Sequence, residues 1–273
     1  MNLASACRAA DAAEAAAYVD MYAAAPAGFA ASSGLRTEQV AGATLLLAPG
    51  LPTPMFNRVI GLGTFEPASE QAVDAIIARY RAAGVPQFWL SVGPAAEPPN
   101  LTQWLEVRGF SPPQRRAWVQ MRWGDEPPPG LATTLEIRGA RPDEATALGS
   151  VIVTAFEMPP PMAAWLASLV GRADWQGFAA LDAGTMVGGA FVHTRPPHGW
   201  LGMGAILPGY RGRHGQSALM SARIRHAQRL GCTSVHTETG EPVGDEPNPS
   251  LANMVRGGFE RVCSRVNYAL AIK

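Results

Sequence analysis

One order of predicted elements occurs twice along this chain of 273 residues. In each half a helix that ends in glycine (Gly84, Gly231) leads to a strand, a proline-rich loop, a second helix and a Gly-Phe pair. The first copy contains ARYRAAGVPQFWLSVG and EPPNLTQWLEVRGF, and the second contains RHAQRLGCTSVHTETG and EPNPSLANMVRGGF. Internal similarity of this kind predicts two halves built on one α/β plan. The alternative is that any two α/β segments resemble each other at this level of detail.

A segment rich in proline and glycine divides the chain nearly in half. GDEPPPG, at 124–130, has the composition of an exposed linker. We therefore predict an amino-terminal domain over 1–126 and a carboxy-terminal domain over 131–273. The last part of the chain, FERVCSR followed by NYALAI, predicts a closing pair of strands.

The composition excludes several classes of protein. Lysine plus arginine equal aspartate plus glutamate at 22 each, so no overall charge attracts the chain to nucleic acid or to an anionic membrane. No run of about 18 uninterrupted apolar residues occurs, and charged residues interrupt the alanine-rich amino terminus, which predicts a helix rather than a signal peptide. Three scattered cysteines predict a cytoplasmic protein with reduced thiols, no disulfide and no metal site.

The run AILPGYRGRHGQSALM combines a strand end, a basic glycine-containing loop and the start of a helix. A helix amino end carries about half a positive charge and unpaired N–H groups, so it favours a phosphate. Arg211 and Arg213 add charge-assisted donors, while Gly212 and Gly215 allow the backbone to approach closely. The spacing fits neither a Walker loop nor a dinucleotide fingerprint. The alternative is a solvated basic turn.

This loop and its flanks resemble the GNAT-type N-acetyltransferase superfamily. The resemblance rests on a strand, P-x-Y-R-G-R, a helix of small residues ending in glycine, another strand and NPSLANMVRGGF. It covers one whole domain from about residue 134 to 271, and the first half resembles the later part of the same fold more weakly. The resemblance implies tandem GNAT-like α/β folds, each a mixed central sheet with helices on both faces. It also implies acetyl-coenzyme A as co-substrate.

Carried over by position, the resemblance implies a set of coenzyme A-binding residues. Arg211 stands at the first position of the family's pyrophosphate loop, while His214 replaces a glycine and Gln216 replaces the final small residue. Backbone at Ile206 and Leu207 would contact pantetheine and the thioester, and such an N–H would stabilise an oxyanion. The predicted cofactor-binding residues are Ile206, Leu207, Arg211, Gly212, Arg213, His214, Gly215, Gln216, Ser217, Asn248, Ser250 and Asn253.

Attack on a thioester requires a neutral amine, so a base or a proton-conducting water must accept a proton from the acceptor. Glu238 is the candidate, because its strand neighbours the cofactor-bearing strand in the family. The alternative for Glu238 is a hydrogen-bonded carboxylate at the edge of the core. Met254 stands where many relatives carry a tyrosine acid, and Tyr268 is a remote substitute.

Other polar residues near these segments have simpler predicted roles. Glu157 lies where the substrate loop of the family falls, and we expect it to face solvent at a helix end. His193 and His198 flank a turn and are expected at the surface. His236, on a strand, is expected to be packed. The cysteines Cys232 and Cys263 are expected to be small core residues.

The first half lacks the basic loop. Its equivalent run, GLGTFEPASEQAV, carries Glu66 and Glu70 and no arginine, and these would repel a pyrophosphate. We therefore expect this half to bind no coenzyme A, and to shape the acceptor pocket or fill an interface.

Three functions remain open at this point. The first is direct transfer of an acetyl group from acetyl-coenzyme A to a primary amine, with neither nucleic acid nor membrane as partner. The expected acceptor is a small molecule (a small amine, an antibiotic or an amino acid), and the alternative is a protein amino terminus. The second is a non-catalytic acyl-coenzyme A binding or sensing protein. The third is a structural or partner-binding protein in which the loop is only a basic turn.

Overall fold

The computed structural model describes residues 2–51, 53–112, 117–124 and 132–272. Within these ranges the helices are α1 (Leu3–Ala23), α2 (Ala27–Ser33), α3 (Glu70–Ala82), α4 (Leu101–Val107), α5 (Ala145–Ala155), α6 (Met162–Ala167), α7 (Gly215–Arg229) and α8 (Pro249–Arg256). The strands are β1 (Arg36–Val40), β2 (Ala43–Leu47), β3 (Arg58–Ile60), β4 (Gln87–Val92), β5 (Ala117–Trp123), β6 (Glu136–Gly139), β7 (Trp175–Asp182), β8 (Thr185–Arg195), β9 (His198–Ile206), β10 (Ser234–Gly240) and β11 (Glu260–Ala271).

All of these strands join one mixed sheet. Their order is β1, β2, β3, β4, β11, β5, β10, β9, β8, β7 and β6. Two neighbouring pairs are parallel, β3 with β4 and β9 with β10, and every other pair is antiparallel. Each half therefore contributes a block of antiparallel strands that ends in one parallel pair.

The two halves exchange their last strands at the centre of the sheet. β5, the last strand before the linker, pairs with β10 of the second half. β11, which holds the same place in the second half, pairs with β4 of the first half. β5 and β11 also pair with each other, antiparallel. The two halves are therefore joined by hydrogen-bonded strands as well as by the chain.

Helices cover both faces of the sheet. Alternation in β2 illustrates the arrangement, since Leu46 packs in one core with α1, α2, α5 and α6, while Leu45 and Leu47 pack in another with α3 and α4. A third core lies under α7 and α8. The first core spans both halves on one face, and the other two cores divide the opposite face between them.

The prediction of tandem mixed α/β folds is confirmed, with differences in detail. α2 and β1 were not predicted, and the expected closing pair is wrong, because FERVCSR and NYALAI belong to the single strand β11. His193 was expected at the surface, but it is 2% exposed, because it lies on β8 between β7 and β9 with its ring against Trp175. The division into 1–126 and 131–273 stays a prediction, and most of GDEPPPG lies outside the described residues.

No helix within the described ranges is both long enough and apolar enough to span a membrane.

Candidate functional site

A gap opens in the sheet where the parallel strands β9 and β10 separate. Their pairing covers Ser234 to His236 against His198 to Trp200 and then stops. Beyond that point, Leu201 to Ile206 on β9 and Thr237 to Gly240 on β10 form opposite walls of a cavity of about 810 Å³. The gap arises because two parallel strands diverge without a third strand to fill the space.

The β9 wall is irregular. Met203 has φ 52°, in the left-handed region, and the register of β9 against β8 shifts near it. Such a bulge redirects backbone groups toward the gap. The backbone of Leu207, which was predicted to contact the cofactor, points elsewhere. Its N–H donates to the Val187 carbonyl oxygen at 2.9 Å. That N–H is therefore already paired, and Leu207 does not line the cavity.

The amino end of α7 opens onto the same cavity. His214 precedes the helix with φ 57° and makes no side-chain capping hydrogen bond, so the first N–H groups of α7 have no side-chain cap. A Cβ on Gly215 would lie 2.7 Å from the Leu135 side chain and 3.0 Å from the Ile206 side chain. The turn at Gly215 therefore packs closely against Leu135 and Ile206. His214 adopts the left-handed conformation at a position where the family's loop pattern has glycine.

The corresponding helix of the first half, α3, has a closed amino end. Ser69 accepts a hydrogen bond from the Ala72 N–H through its side chain. Glu70, in the first turn, forms an ion pair with Arg108 at 3.0 Å. A side-chain cap and a carboxylate therefore occupy the place where α7 presents uncapped amides.

Most of the predicted cofactor-binding residues meet around this cavity. Those that line it are Ile206, Arg211, Gly212, His214, Gly215, Gln216, Ser217, Ser250 and Asn253. Two contacts order this group: Arg211 donates to the Ile206 carbonyl oxygen at 3.2 Å, and Asn253 donates to Gln216 at 2.9 Å.

Arg213 and Asn248 do not line the cavity. Arg213 forms an ion pair with Asp182 at 2.7 Å and donates to the Thr134 hydroxyl at 2.8 Å. Asn248 caps α8 by accepting from the Leu251 N–H and donates to the Gly240 carbonyl oxygen. The side chains of Arg213 and Asn248 thus bind neighbouring segments of the protein.

Glu238 lies at the floor of the cavity, and its side chain is 7% exposed. One carboxylate oxygen accepts from Arg58 at 3.0 Å, and the other forms a close ion pair with Arg265. Glu14 also binds both guanidinium groups, and Asp11 binds Arg265 at 3.0 Å. Three carboxylates and two guanidiniums therefore form one buried cluster behind the cavity.

The cluster shifts the pKa values of its two glutamates in opposite directions. Burial and the nearby charge of Glu14 raise the pKa of Glu238 to about 7. Burial also raises the pKa of Glu14, but Arg265 and Arg58 outweigh it, so that this pKa is lowered. Burial raises the pKa of Asp11 as well. Of the two glutamates, Glu238, which lines the cavity, is the one that takes up a proton near neutral pH.

The first half forms one side of the cavity. Tyr18 on α1, Met55 and Trp118 on β5 line it. Arg58 lies between two of these rings, 4.7 Å from the Tyr18 centroid and 4.9 Å from the Trp118 centroid. Sequence reasoning missed these residues. One signal was present in the sequence: Asp11 and Glu14 lie one turn apart on an alanine-rich helix. Two acidic residues on such a helix indicate a buried ion cluster, because charged side chains are rarely buried unless they are paired.

The remaining candidates are spread through the fold. Met254 lines the cavity, whereas Tyr268 packs in the core under α3 and α4. His198 and His236 both hydrogen-bond to Ser234, and burial lowers the pKa of His236 to about 3. Glu157 is exposed just after α5, and the three cysteines are buried. Among the described residues, no group of three potential ligands is placed to hold a metal ion.

Residues 147–245, which include β9, the basic loop, α7 and β10, match the model of the acetyltransferase (GNAT) family. They form a GNAT domain. The predicted resemblance is thus confirmed, and proteins of the GNAT family generally use acetyl-coenzyme A.

Solved structures show the same fold over most of the chain. A GCN5-related N-acetyltransferase from Kribbella flavida is 15% identical, with 95% of each chain covered and a TM-score of 0.63. One from Sphaerobacter thermophilus is 19% identical, with 88% of this chain and 83% of that chain covered and a TM-score of 0.63. A tandem GNAT protein from the clavulanic acid biosynthesis pathway is 17% identical, with 84% and 78% covered and a TM-score of 0.61. No curated protein matches the chain.

The residues of this GNAT domain fit coenzyme A. The uncapped amides of α7 and the Arg211 side chain suit a pyrophosphate, and the close fit of Gly215 keeps that backbone free of side-chain atoms. The cavity continues from there between β9 and β10 to Glu238. The volume of about 810 Å³ is within the range of small-molecule sites.

Proposed function

We propose that this chain is an N-acetyltransferase that moves the acetyl group of acetyl-coenzyme A to a primary amine of a small molecule. The observation that carries the proposal is a single cavity that joins the uncapped amino end of α7 to a buried carboxylate, Glu238, through the gap between β9 and β10. Coenzyme A, when bound, would supply the acetyl group as a thioester, activated for attack by an amine.

In this proposal the α7 amino end and Arg211 bind the pyrophosphate, and the β9 and β10 walls orient the rest of the molecule. Glu238 accepts the proton of the acceptor ammonium at a carboxylate oxygen. A pKa of about 7 suits this step, because a base works best when its pKa lies near the working pH. Arg58 and Arg265 hold the carboxylate in place on its buried side.

We assign the acceptor to the part of the cavity that both halves line. Tyr18, Trp118 and Trp200 provide aromatic surface there, next to Glu238. Aromatic rings and a carboxylate together favour an amine with an apolar body, since the rings attract both apolar groups and ammonium ions. The first half, in this proposal, serves acceptor binding and binds no coenzyme A.

The first test is a calorimetric titration of the protein with acetyl-coenzyme A. Arg211→Ala is expected to weaken binding about tenfold, or about 1.4 kcal/mol. Arg213→Ala is the matched control, because Asp182 binds that guanidinium outside the cavity, and its affinity is expected to stay within about threefold. No binding by the unmodified protein at millimolar ligand would contradict the proposal.

A second candidate is an acyl-coenzyme A binding protein without transferase activity. The two ion pairs that bind Glu238 favour it, because they compete with an incoming ammonium for the same oxygens. Release of free thiol in the presence of a panel of primary amines separates the two. Binding with no thiol release from any amine would favour the binding protein.

A further inference from the structure

Arg223, on α7, is a buried cation bound only by backbone carbonyl groups. It is 4% exposed, and yet it lines the cavity. Its Nε donates to the Leu219 carbonyl oxygen at 3.1 Å, and its Nη1 donates to those of Phe191 and Gly202 at 3.1 and 3.3 Å. No aspartate or glutamate in the described ranges forms an ion pair with it. Burial alone lowers its pKa to about 9, so the guanidinium is still charged near pH 7.

The second terminal nitrogen, Nη2, faces β9. A Cβ on Gly204 would lie 3.0 Å from Nη2, so the guanidinium rests against a strand that has no side chain at that position. Gly204 follows Met203, the left-handed residue of the bulge, and both line the cavity. The two N–H groups of Nη2 have no acceptor among the residues that the structure describes.

Two buried guanidiniums on the sheet, by contrast, are compensated by carboxylates. Arg58 binds Glu14 and Glu238, and Arg265 binds these two and Asp11. A buried charge without a counter-ion is costly to the fold, and three carbonyl dipoles compensate it only in part. Arg223 therefore differs from the other two in lacking an anion, and its free donors are at the cavity wall.

We propose that Arg223 binds a carboxylate of the ligand that enters this cavity. A guanidinium is suited to that group, because its N–H donors match the carboxylate oxygens in geometry and in charge. The inference rests on the proposed function, because that function supplies the two ligands that can carry the carboxylate. The carboxylate belongs either to the acyl group, as in a dicarboxylic acyl-coenzyme A, or to the amine acceptor, as in an amino acid.

The first arm of the test compares donors. Calorimetry of the unmodified protein with acetyl- and succinyl-coenzyme A is expected to give at least tenfold tighter binding of the succinyl compound if the acyl group carries the carboxylate. Arg223→Met is expected to abolish that preference. Arg225→Met, at an exposed position on the same helix, is the matched control and should preserve it.

The second arm compares acceptors with acetyl-coenzyme A as donor. Amino acids are paired with the amines that lack the carboxylate, such as phenylalanine with phenethylamine and lysine with cadaverine. If the acceptor carries the carboxylate, kcat/KM for the amino acid exceeds that of its partner at least tenfold, and Arg223→Met removes the difference. Should Arg223→Met fail to fold, Arg223→Gln takes its place, because glutamine still donates to a carbonyl group.

The inference is overturned if neither arm shows a carboxylate preference, or if Arg223→Met keeps the preference of the unmodified protein. Coenzyme A without an acyl group tests the proposed function separately, since it can reach the pyrophosphate site but has no carboxylate for Arg223. If coenzyme A does not bind, succinate and glutarate are titrated directly by thermal shift. Stabilisation that Arg223→Met removes would support the carboxylate site, and equal shifts in both proteins would overturn it.

Discussion

Glu238 is the residue whose role depends most on its surroundings. Its strand placed it near the cofactor in the sequence prediction, but the sequence did not show the guanidiniums behind it. Arg58 comes from the first half and Arg265 from the last strand, both far from Glu238 along the chain. They make the carboxylate part of an ion cluster. Burial and the charge of Glu14 raise its pKa, and the two guanidiniums lower it by a smaller amount.

Removal of the carboxylate at position 238 tests its role as a base. Glu238→Gln is expected to lower kcat/KM by about a hundredfold or more, as loss of a general base does. The variant should fold, because Asp11 and Glu14 still balance Arg58 and Arg265. Glu241→Gln is the control, since Arg261 and Ser264 bind its carboxylate away from the cavity. Equal turnover in both variants would show that Glu238 has a structural role only.

The raised pKa of Glu238 predicts a pH dependence with a definite sign. Glu238 must be deprotonated to accept a proton, so its active fraction rises as the pH increases through about 7 and is constant above. The profile of log kcat/KM is therefore expected to bend near pH 7, with the lower rate on the acid side. Glu238→Gln should lose this bend while keeping any bend that belongs to the amine. A bend that survives in the variant would assign the titration to another group.

At the scale of elements, the basic loop and its helix were predictable and the surroundings of the helix were not. The arginines, the glycines and the change to a small-residue helix lie within sixteen residues, and local chemistry of that kind is visible in a sequence. The sequence did not show that Arg211 lines the cavity while Arg213 does not. This difference depends on Asp182, which lies at the end of β7 and binds Arg213. Long-range partners also decided the burial of His193.

Close packing of α5 on α6 can be tested at one glycine. A Cβ on Gly149 would lie 2.2 Å from the Ala163 carbonyl oxygen, which is backbone and cannot move aside on its own. Gly149→Ala is expected to lower the free energy of unfolding by about 1 to 3 kcal/mol, despite the better helix propensity of alanine. Gly28→Ala in α2 is the control, because nothing lies within 4 Å of its Cβ. Denaturant unfolding measures both, and equal stabilities would contradict the close packing.

At the scale of the whole molecule, one ion cluster and two exchanged strands join the halves. The repeat in the sequence predicted two similar halves, and the linker suggested that they are separate. The sequence could not show the exchange, because β5 and β11 would form the same kind of strand beside either neighbour. The choice between β4 and β10 depends on pairing far along the chain.

The cluster predicts a large loss of stability when one guanidinium is removed. Arg265→Met leaves Asp11, Glu14 and Glu238 facing Arg58 alone, so the excess of carboxylates over guanidiniums in the cluster rises from one to two. We expect the free energy of unfolding to fall by about 3 to 5 kcal/mol. Arg261→Met, on the same strand with an exposed ion pair, is expected to lose less than about 1 kcal/mol. Similar losses in both variants would show that charge compensation does not hold the cluster together.

The exchanged strands predict that neither half is stable alone. Residues 1–124 and 132–273, produced together as two chains, are expected to purify as a one-to-one complex. Each chain alone is expected to lack cooperative unfolding, because β10 then lacks β5 and β4 lacks β11. Size-exclusion chromatography and circular dichroism measure this. A folded monomer from either chain alone would contradict the prediction.

The exchange also bears on how such a chain can change over evolutionary time. A duplicated half that has no basic loop would ordinarily be free to drift and then to disappear. Here the loop of the first half can drift, because the sheet does not depend on it. Deletion of that half, however, would remove the strand that separates β10 from β11 and the helix that carries Asp11 and Glu14. Selection on the second half is therefore expected to preserve the first, even where the first has no ligand of its own.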